Sequence, residues 1–252
     1  MDSLKLETKL LLGALVQVLL CAVLPMKWAI VPAAAMLLNS IVTTIIQVLV
    51  PSRNIFQDGV VHGRSTAQIP SPDGVYGPTP ASESLVVFNL GVQLNHPLGP
   101  LAPHVKTIGD YFLKMLEDIR NRRDELGLIT MSDWRTNDRN SNSTLNVSFY
   151  FRDVESIHKF AHEELHKEAW KFYEAAKPYH VGVYHETFIV PAGHYETIYD
   201  HCRPVKLGRG TVAREGKEGE SGRSRLLVSA DTPVLKSQYA RLNRYENGSP
   251  KV

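Results

Sequence analysis

His158, His162, His166 and Trp170 recur at four-residue spacing, which on an α-helix places them along one slowly drifting stripe. Ile157, Ala161, Leu165, Ala169 and Phe172 form the adjacent apolar stripe, so the histidines sit at the boundary between core and solvent. An imidazole in such a place can line a cavity and act as a general base near neutral pH. The plainer reading is a solvated face of His, Glu and Lys. His162-Glu163-Glu164-Leu165-His166 also matches the HExxH pattern, which offers two imidazoles to zinc and a glutamate as base. Glu186 stands at a spacing that suits a third ligand. Against the zinc reading, a helix turns about 100° per residue, which carries Glu163 away from Ala161 and Leu165. Glu163 is therefore expected to face solvent, and Glu163→Gln to be nearly silent.

A second group lies on alternating segments. Val181 to Val190 reads as a strand, with Val183, His185 and Thr187 on one side and Tyr184, Glu186 and Phe188 on the other. One of His185 and Glu186 thus faces whatever the open side of the sheet encloses. Asn89 lies between apolar neighbours in the alternating run Val86, Phe88, Leu90, Val92, and its amide could hold an oxygenated group; a plain edge-strand asparagine is the alternative.

The elements that must position these residues follow from the period of the apolar pattern. Val86–Val92 is a strand, 105–126 a helix with Ile108, Phe112, Leu116 and Ile119 on one face, 128–134 a short strand, and Leu145, Val147, Phe149 and Phe151 a further strand. Asp153 caps a helix to about Ala176, and Val181–Val190 closes the order β-α-β-β-α-β. The expected fold class is α+β, a ferredoxin-like βαββαβ domain with helices on one face of an antiparallel sheet. Strand residues of both faces are partly apolar, so a second copy is expected to cover the open face as a homodimer.

The flanks add a membrane. Leu10–Leu24 and Trp28–Val50 are apolar runs separated by Pro25 and Lys27. The second exceeds the roughly 20 residues needed to cross ~30 Å of hydrocarbon, and the first is marginal. The expectation is a transmembrane helical hairpin over residues 1–50, with Lys5, Lys9, Arg53 and Arg64 holding both ends on the cytoplasmic side. That makes a multi-pass protein, placed in the endoplasmic reticulum with its domain in the cytosol. A signal peptide cleaved near Ala33-Ala34-Ala35 is the competing reading. Residues 51–83, rich in Pro, Gly and Ser, read as an extended linker; residues 84–208 as the domain; and 209–252, with Arg214 to Arg223 polar and Gly-rich, as a disordered basic tail. From Arg203 onward 11 basic side chains stand against 5 acidic ones, so the remainder of this +2 chain is acidic, which argues against nucleic acid as a partner. Cys21 and Cys202 are too few for a disulfide framework. Asn142-Ser143-Thr144 and Asn146-Val147-Ser148 match the glycosylation sequon, but a cytosolic domain would leave both bare.

Tyr150-Phe151-Arg152-Asp153, His158-Lys159-Phe160-Ala161, His166-Lys167-Glu168-Ala169-Trp170, His180 to Glu186 and Val190 to Tyr199 together resemble the antibiotic-biosynthesis monooxygenases, small dimeric α+β barrels of bacteria and fungi. The anchored form resembles fungal secondary-metabolite members. The resemblance covers about half the chain. It implies a monooxygenase that oxidises an apolar polyketide or terpenoid intermediate, with O2 as cosubstrate and no cofactor expected. On that reading His162, His166 and His185 are the catalytic candidates, Asn89, Trp170 and Tyr184 bind substrate, and the metal set is empty. Cofactor-free oxygenation needs a substrate that can itself give an electron, such as a phenol, enol or anthrone; an unactivated hydrocarbon would call for flavin or haem. Two alternatives belong to other classes: a non-catalytic, membrane-tethered barrel that presents an intermediate to a partner enzyme, and, more remotely, the HExxH metalloprotease.

Overall fold

The structure, a computed structural model, describes residues 6–136, 144–214 and 222–251. It divides into two compact units, Met1–Val60 and Val61–Val252.

In the first unit, α1 (Leu6–Val23) ends ahead of Pro25, whose extended ψ of 140° stops the helix. A short α2 (Met26–Ala29) leads into α3 (Val31–Leu49). Gln17 Nε2 donates to Ala29 O at 3.1 Å. Twelve residues of unbroken helix would separate those positions by ~18 Å, so the chain bends sharply at Leu24-Pro25. Met26–Leu49, 24 residues with a mean hydropathy of 2.0, is long and apolar enough to cross a membrane; the apolar stretch of the first helix, Thr8–Val23, is shorter. Among the polar interruptions of α3, Thr43 is met locally, its Oγ1 donating to Asn39 O at 2.7 Å, the usual way a hydroxyl is accommodated in a helix.

The second unit opens with β1 (Val61–Ala67), then β2 (Leu85–Leu94), α4 (Val105–Asn121), β3 (Leu128–Arg135), β4 (Leu145–Phe151), α5 (Glu155–Ala161), α6 (Glu164–Ala176) and β5 (Val181–Val190). The main sheet is antiparallel in the order β3-β4-β2-β5. Numbering only its own four strands, that order is 2-3-1-4, the ferredoxin-like arrangement expected from the alternation of periods. β2 alternates with period two, so Val86, Phe88 and Leu90 turn to the helices. There they meet Val147, Phe149 and Phe151 of β4 and Phe112, Leu116 and Ile119 of α4 in one core.

The helix expected to run unbroken to Ala176 is interrupted. α5 ends at Ala161, His162 leaves helical geometry, and Glu163 is extended at ψ 157° before α6 begins. Asp153 does cap the first piece, accepting from Ser156 N at 2.9 Å.

The flanks depart from expectation most. Residues 61–83 are not a linker: β1 is a strand in which Ser65, Thr66 and Ala67 are buried, followed by buried Gln68 and Ile69. Nor are residues 209–252 a tail. β6 (Tyr199–Cys202) and β9 (Leu227–Ser229) pair on either side of β1, and β7 (Thr211–Arg214) pairs with β8 (Gly222–Arg225). The short α7 (Gln238–Arg241) is pinned by Arg241, whose Nε donates to Glu196 at 2.7 Å with only 6% of its side chain exposed. The reason is long-range pairing. β1 has almost no apolar alternation of its own, and its place depends on strands more than a hundred residues away, which period analysis does not read. These segments build a second core of Ala67, Ile69, Leu207, Val212 and Leu226 against Leu85 and Ile129 of the main sheet, with Val87, Tyr150 and Val190 packed on it. One end of the face away from the helices is thus covered by the chain itself.

Candidate active site

The uncovered part of that face is organised in rows by the strand register. Directly paired residues of an antiparallel sheet share a face, so Ser132, Ser148, Asn89 and Glu186 cross β3, β4, β2 and β5 as one row. Trp134, Asn146, Gly91 and Tyr184 form the next, and Thr130, Tyr150, Val87 and Phe188 lie on the other side, toward the second core. The middle row is polar on all four strands.

Its groups are linked. Ser148 Oγ donates to Asn89 Oδ1 at 2.7 Å, Asn146 Nδ2 to Ser148 Oγ at 3.4 Å, and Tyr184 Oη to Asn146 Oδ1 at 3.3 Å. With its oxygen engaged, Asn89 has its amide NH2 to offer a ligand. Gly91 lets Tyr184 reach this chain: a Cβ at position 91 would collide with Cζ, Cε1 and Oη of the Tyr184 ring, which lies across β2 at that point. Ser132 Oγ is buried with no hydrogen-bond partner in the structure. β5, the edge strand, is exposed from Val183 to Ile189, so Glu186 meets Asn89 from the open side.

The six residues expected to form the site are divided by the sheet. Asn89 and Tyr184 are on the open face together. His185 pairs with Leu90 and turns to the helical side, its ring 5.6 Å from that of Phe88; of His185 and Glu186, the open face has Glu186. His162 is exposed at the helix break, its Nδ1 2.7 Å from His158 O. His166 packs edge-on to Phe160 at 6.1 Å, and Trp170 stacks on Tyr173 at 5.5 Å. These belong to the helical layer, across the sheet from Asn89. Ser132, Asn146 and Ser148 join them. For Asn146 and Ser148 the signal is legible in Leu145-Asn146-Val147-Ser148-Phe149, where small polar residues alternate with core residues.

The same geometry dissolves the HExxH reading. The motif straddles two helices, Glu186 lies on the far face of the sheet, and among the described residues no group of three or more His, Cys, Asp or Glu is gathered to hold a metal. Glu163 does not face solvent: both of its carboxylate oxygens accept from Arg122, from NH1 and NH2, each at 2.6 Å. Arg122 also binds Asp118 and Glu125 at 3.0 Å, and Lys159 pairs with Glu125. The Arg122 and Lys159 donors hold the Glu125 carboxyl down at about 2, and the Arg122 hydrogen bonds lower that of Glu163. The HExxH glutamate is a clasp between α4 and the α5–α6 break. Near the second core, burial pushes the Tyr195 and Tyr150 phenols up, so both stay protonated.

The strand order and the polar rows define the class, a ferredoxin-like α+β domain whose free sheet face holds its polar chemistry. A family model described as monooxygenase af470-like matches residues 85–207, from the start of β2 to just beyond β6. Monooxygenase af470 of Aspergillus fumigatus is 50% identical over 244 residues, covering 96% of this chain and 89% of that protein. The chain belongs to the monooxygenase af470-like family, and so to the oxidoreductases. Among solved structures, SnoaB, a cofactor-independent oxygenase from Streptomyces nogalater, aligns at 12% identity and TM-score 0.30 over 42% of this chain and 91% of its own. The aldoxime dehydratase OxdRE in complex with butyraldoxime aligns at 14% identity and TM-score 0.43 over 58% of this chain and 39% of its own.

Proposed function

We propose that this monooxygenase oxidises a small apolar, electron-rich intermediate of a fungal secondary-metabolite pathway, using O2 without a bound cofactor, on the open face of its ferredoxin-like sheet. The observation that carries this is the polar row Ser132, Ser148, Asn89, Glu186 flanked on the same face by Phe188, Tyr184 and Trp134. Such a face binds an aromatic or polyketide body and presents polar groups to one edge of it.

On this reading Glu186 takes a proton from a phenol, enol or anthrone methylene. The resulting anion passes an electron to O2, and recombination forms a carbon–oxygen bond as a peroxide. The Asn89 amide stabilises the developing oxyanion, with Tyr184, Asn146 and Ser148 fixing its orientation. For an anthrone, loss of water from the hydroperoxide leaves a carbonyl; one oxygen atom enters the product, the other leaves as water, and the substrate supplies all the electrons. His162, His166 and His185, on the other side of the sheet, support the scaffold.

A second copy completes the pocket. β5 is a ten-residue edge strand with Val183, Tyr184, Phe188 and Ile189 exposed at 37, 37, 50 and 65%, and a long apolar edge is normally covered. The helix Met26–Leu49 anchors the protein, with α1 as its partner in a hairpin, at the endoplasmic reticulum with the second unit in the cytosol, so substrate partitions from the bilayer. The test is incubation of purified full-length protein in detergent with anthrones and polycyclic phenols under 18O2. One 18O atom in the product and no requirement for added flavin, metal or reductant are expected. Saturable binding of these compounds without turnover would establish the presenting barrel instead.

A further inference from the structure

We propose that His62 and His201 form a binding site for a divalent transition metal, zinc above all, that clips β1 to β6 at the beginning of the second unit. The two Nδ1 atoms face each other at 3.4 Å across the strand pair. That is longer than the ~2.9–3.0 Å of a good nitrogen-donor hydrogen bond. Two nitrogens each ~2.0–2.1 Å from a tetrahedral zinc lie about 3.3–3.4 Å apart, so the observed separation is the one a shared ion requires. The rings are inclined at 60° to one another, and do not stack.

The backbone is irregular where the two histidines meet. The β1–β6 register shifts between Val61 and Arg64, and inside that irregularity Gly63 adopts φ +82°, while His201 adopts φ +49°. A left-handed conformation is uncommon for any residue but glycine, and strain of this kind persists where the surroundings demand a particular side-chain direction. The neighbour of His201 also fits. Asp200 Oδ1 lies 3.5 Å from His201 Nε2, which favours the proton on Nε2; the Nδ1 lone pair accepts from Gly63 N at 3.5 Å, a long contact that a bound ion would displace. A carboxylate behind a ligating imidazole is the usual support for a metal-bound histidine. Water supplies the remaining positions, the ligands being two exposed side chains. Neither histidine belongs to the open-face row or to the HExxH segment, so the site is independent of the proposed reaction.

The experiment uses the full chain, without affinity tag, in detergent, titrated with zinc chloride by calorimetry and followed in parallel by thermal unfolding. Wild type is expected to take up one equivalent at this site and to unfold at a higher temperature with zinc, because a ligand that binds only the folded state stabilises it. His62→Gln should abolish both effects. His201→Asn should do the same while keeping the left-handed backbone, which asparagine tolerates, and Asp200→Asn should weaken binding by roughly 10- to 100-fold. His162→Ala should bind as wild type does. Absence of zinc binding by wild type, or unchanged uptake and thermal shift in folded His62→Gln or His201→Asn protein, would overturn the site. Loss of zinc in His162→Ala alone would move it to the HExxH segment.

Discussion

Replacing Glu163 with glutamine tests the clasp between α4 and the helix break, and its size follows from the geometry. The Arg122 and Glu163 side chains are 27% and 26% exposed and meet in a two-pronged pair at 2.6 Å. Fully exposed ion pairs contribute ~0.2–1 kcal/mol, and hydrogen bonds to charged groups ~1.5–3 kcal/mol. A partly exposed bidentate pair falls between, at about 1–2 kcal/mol. Glutamine keeps one carbonyl acceptor, so Glu163→Gln should cost about 1 kcal/mol, or ~2–4 °C in the unfolding temperature of a unit this size. The double-mutant cycle of Glu163→Gln with Arg122→Met isolates the pair, and its coupling should be about 1 kcal/mol at low salt, smaller at high salt. The pH dependence has a definite sign. Glu125 is lowered from 4.5 to about 2 and Glu163 is lowered too, so the stabilisation is complete above the unfolded value near 4.5 and is lost as pH falls toward 2. Arg122→Met should flatten that slope. A coupling no larger than the ~0.3–0.5 kcal/mol within which independent sites add, or an acid slope unchanged by Arg122→Met, would refute the clasp.

Glu186→Gln should reduce turnover by ~10²–10⁴-fold, as expected for a lost base, and Asn89→Ala by ~10²–10³-fold, as for a lost oxyanion donor, while His162→Ala stays within a few-fold of wild type in the same 18O2 assay; the reverse ranking would move the chemistry to the helical layer. Gly91→Ala should fold, because the colliding atoms are the free end of the Tyr184 ring, but should turn Tyr184 off Asn146 and reproduce the kinetic defect of Tyr184→Phe; wild-type kinetics for Gly91→Ala would break that link. A fragment from Val61 to Val252 should be soluble, whereas one cut to Ser84–Gly208 should aggregate or bind a hydrophobic dye, since it bares Leu85 and Ile129 by removing Ala67, Ile69, Val212 and Leu226; a well-folded short fragment in sedimentation would show the second core to be dispensable. Asn146 lies on β4, bonded to Ser148 and Tyr184, and Asn142 lies outside the described residues; intact mass should show no glycan, and an endoglycosidase-sensitive shift would reverse the cytosolic orientation.

The βαββαβ unit is legible from residue order alone, because each of its elements buries one face and so writes its own period into nearby residues: Val86, Phe88 and Leu90 on β2, Phe112, Leu116 and Ile119 on α4, Val147, Phe149 and Phe151 on β4. Met26–Leu49 was equally legible from length and apolarity, as was the resemblance to monooxygenases. Tertiary structure decided the rest. β1 and β9 have no strong period and exist as strands through each other and β6, so composition alone made them linker and tail. The break at His162–Glu163 is clasped by Arg122, 41 residues away, and no helical wheel includes a partner on another helix. The histidine stripe looked catalytic because its spacing is regular. Whether a regular stripe faces a pocket is set by which side of the sheet its helix covers, and in this protein the polar row of Ser132, Ser148, Asn89 and Glu186 lies on the other side, assembled by register between four strands whose order in the sheet is not their order in the chain.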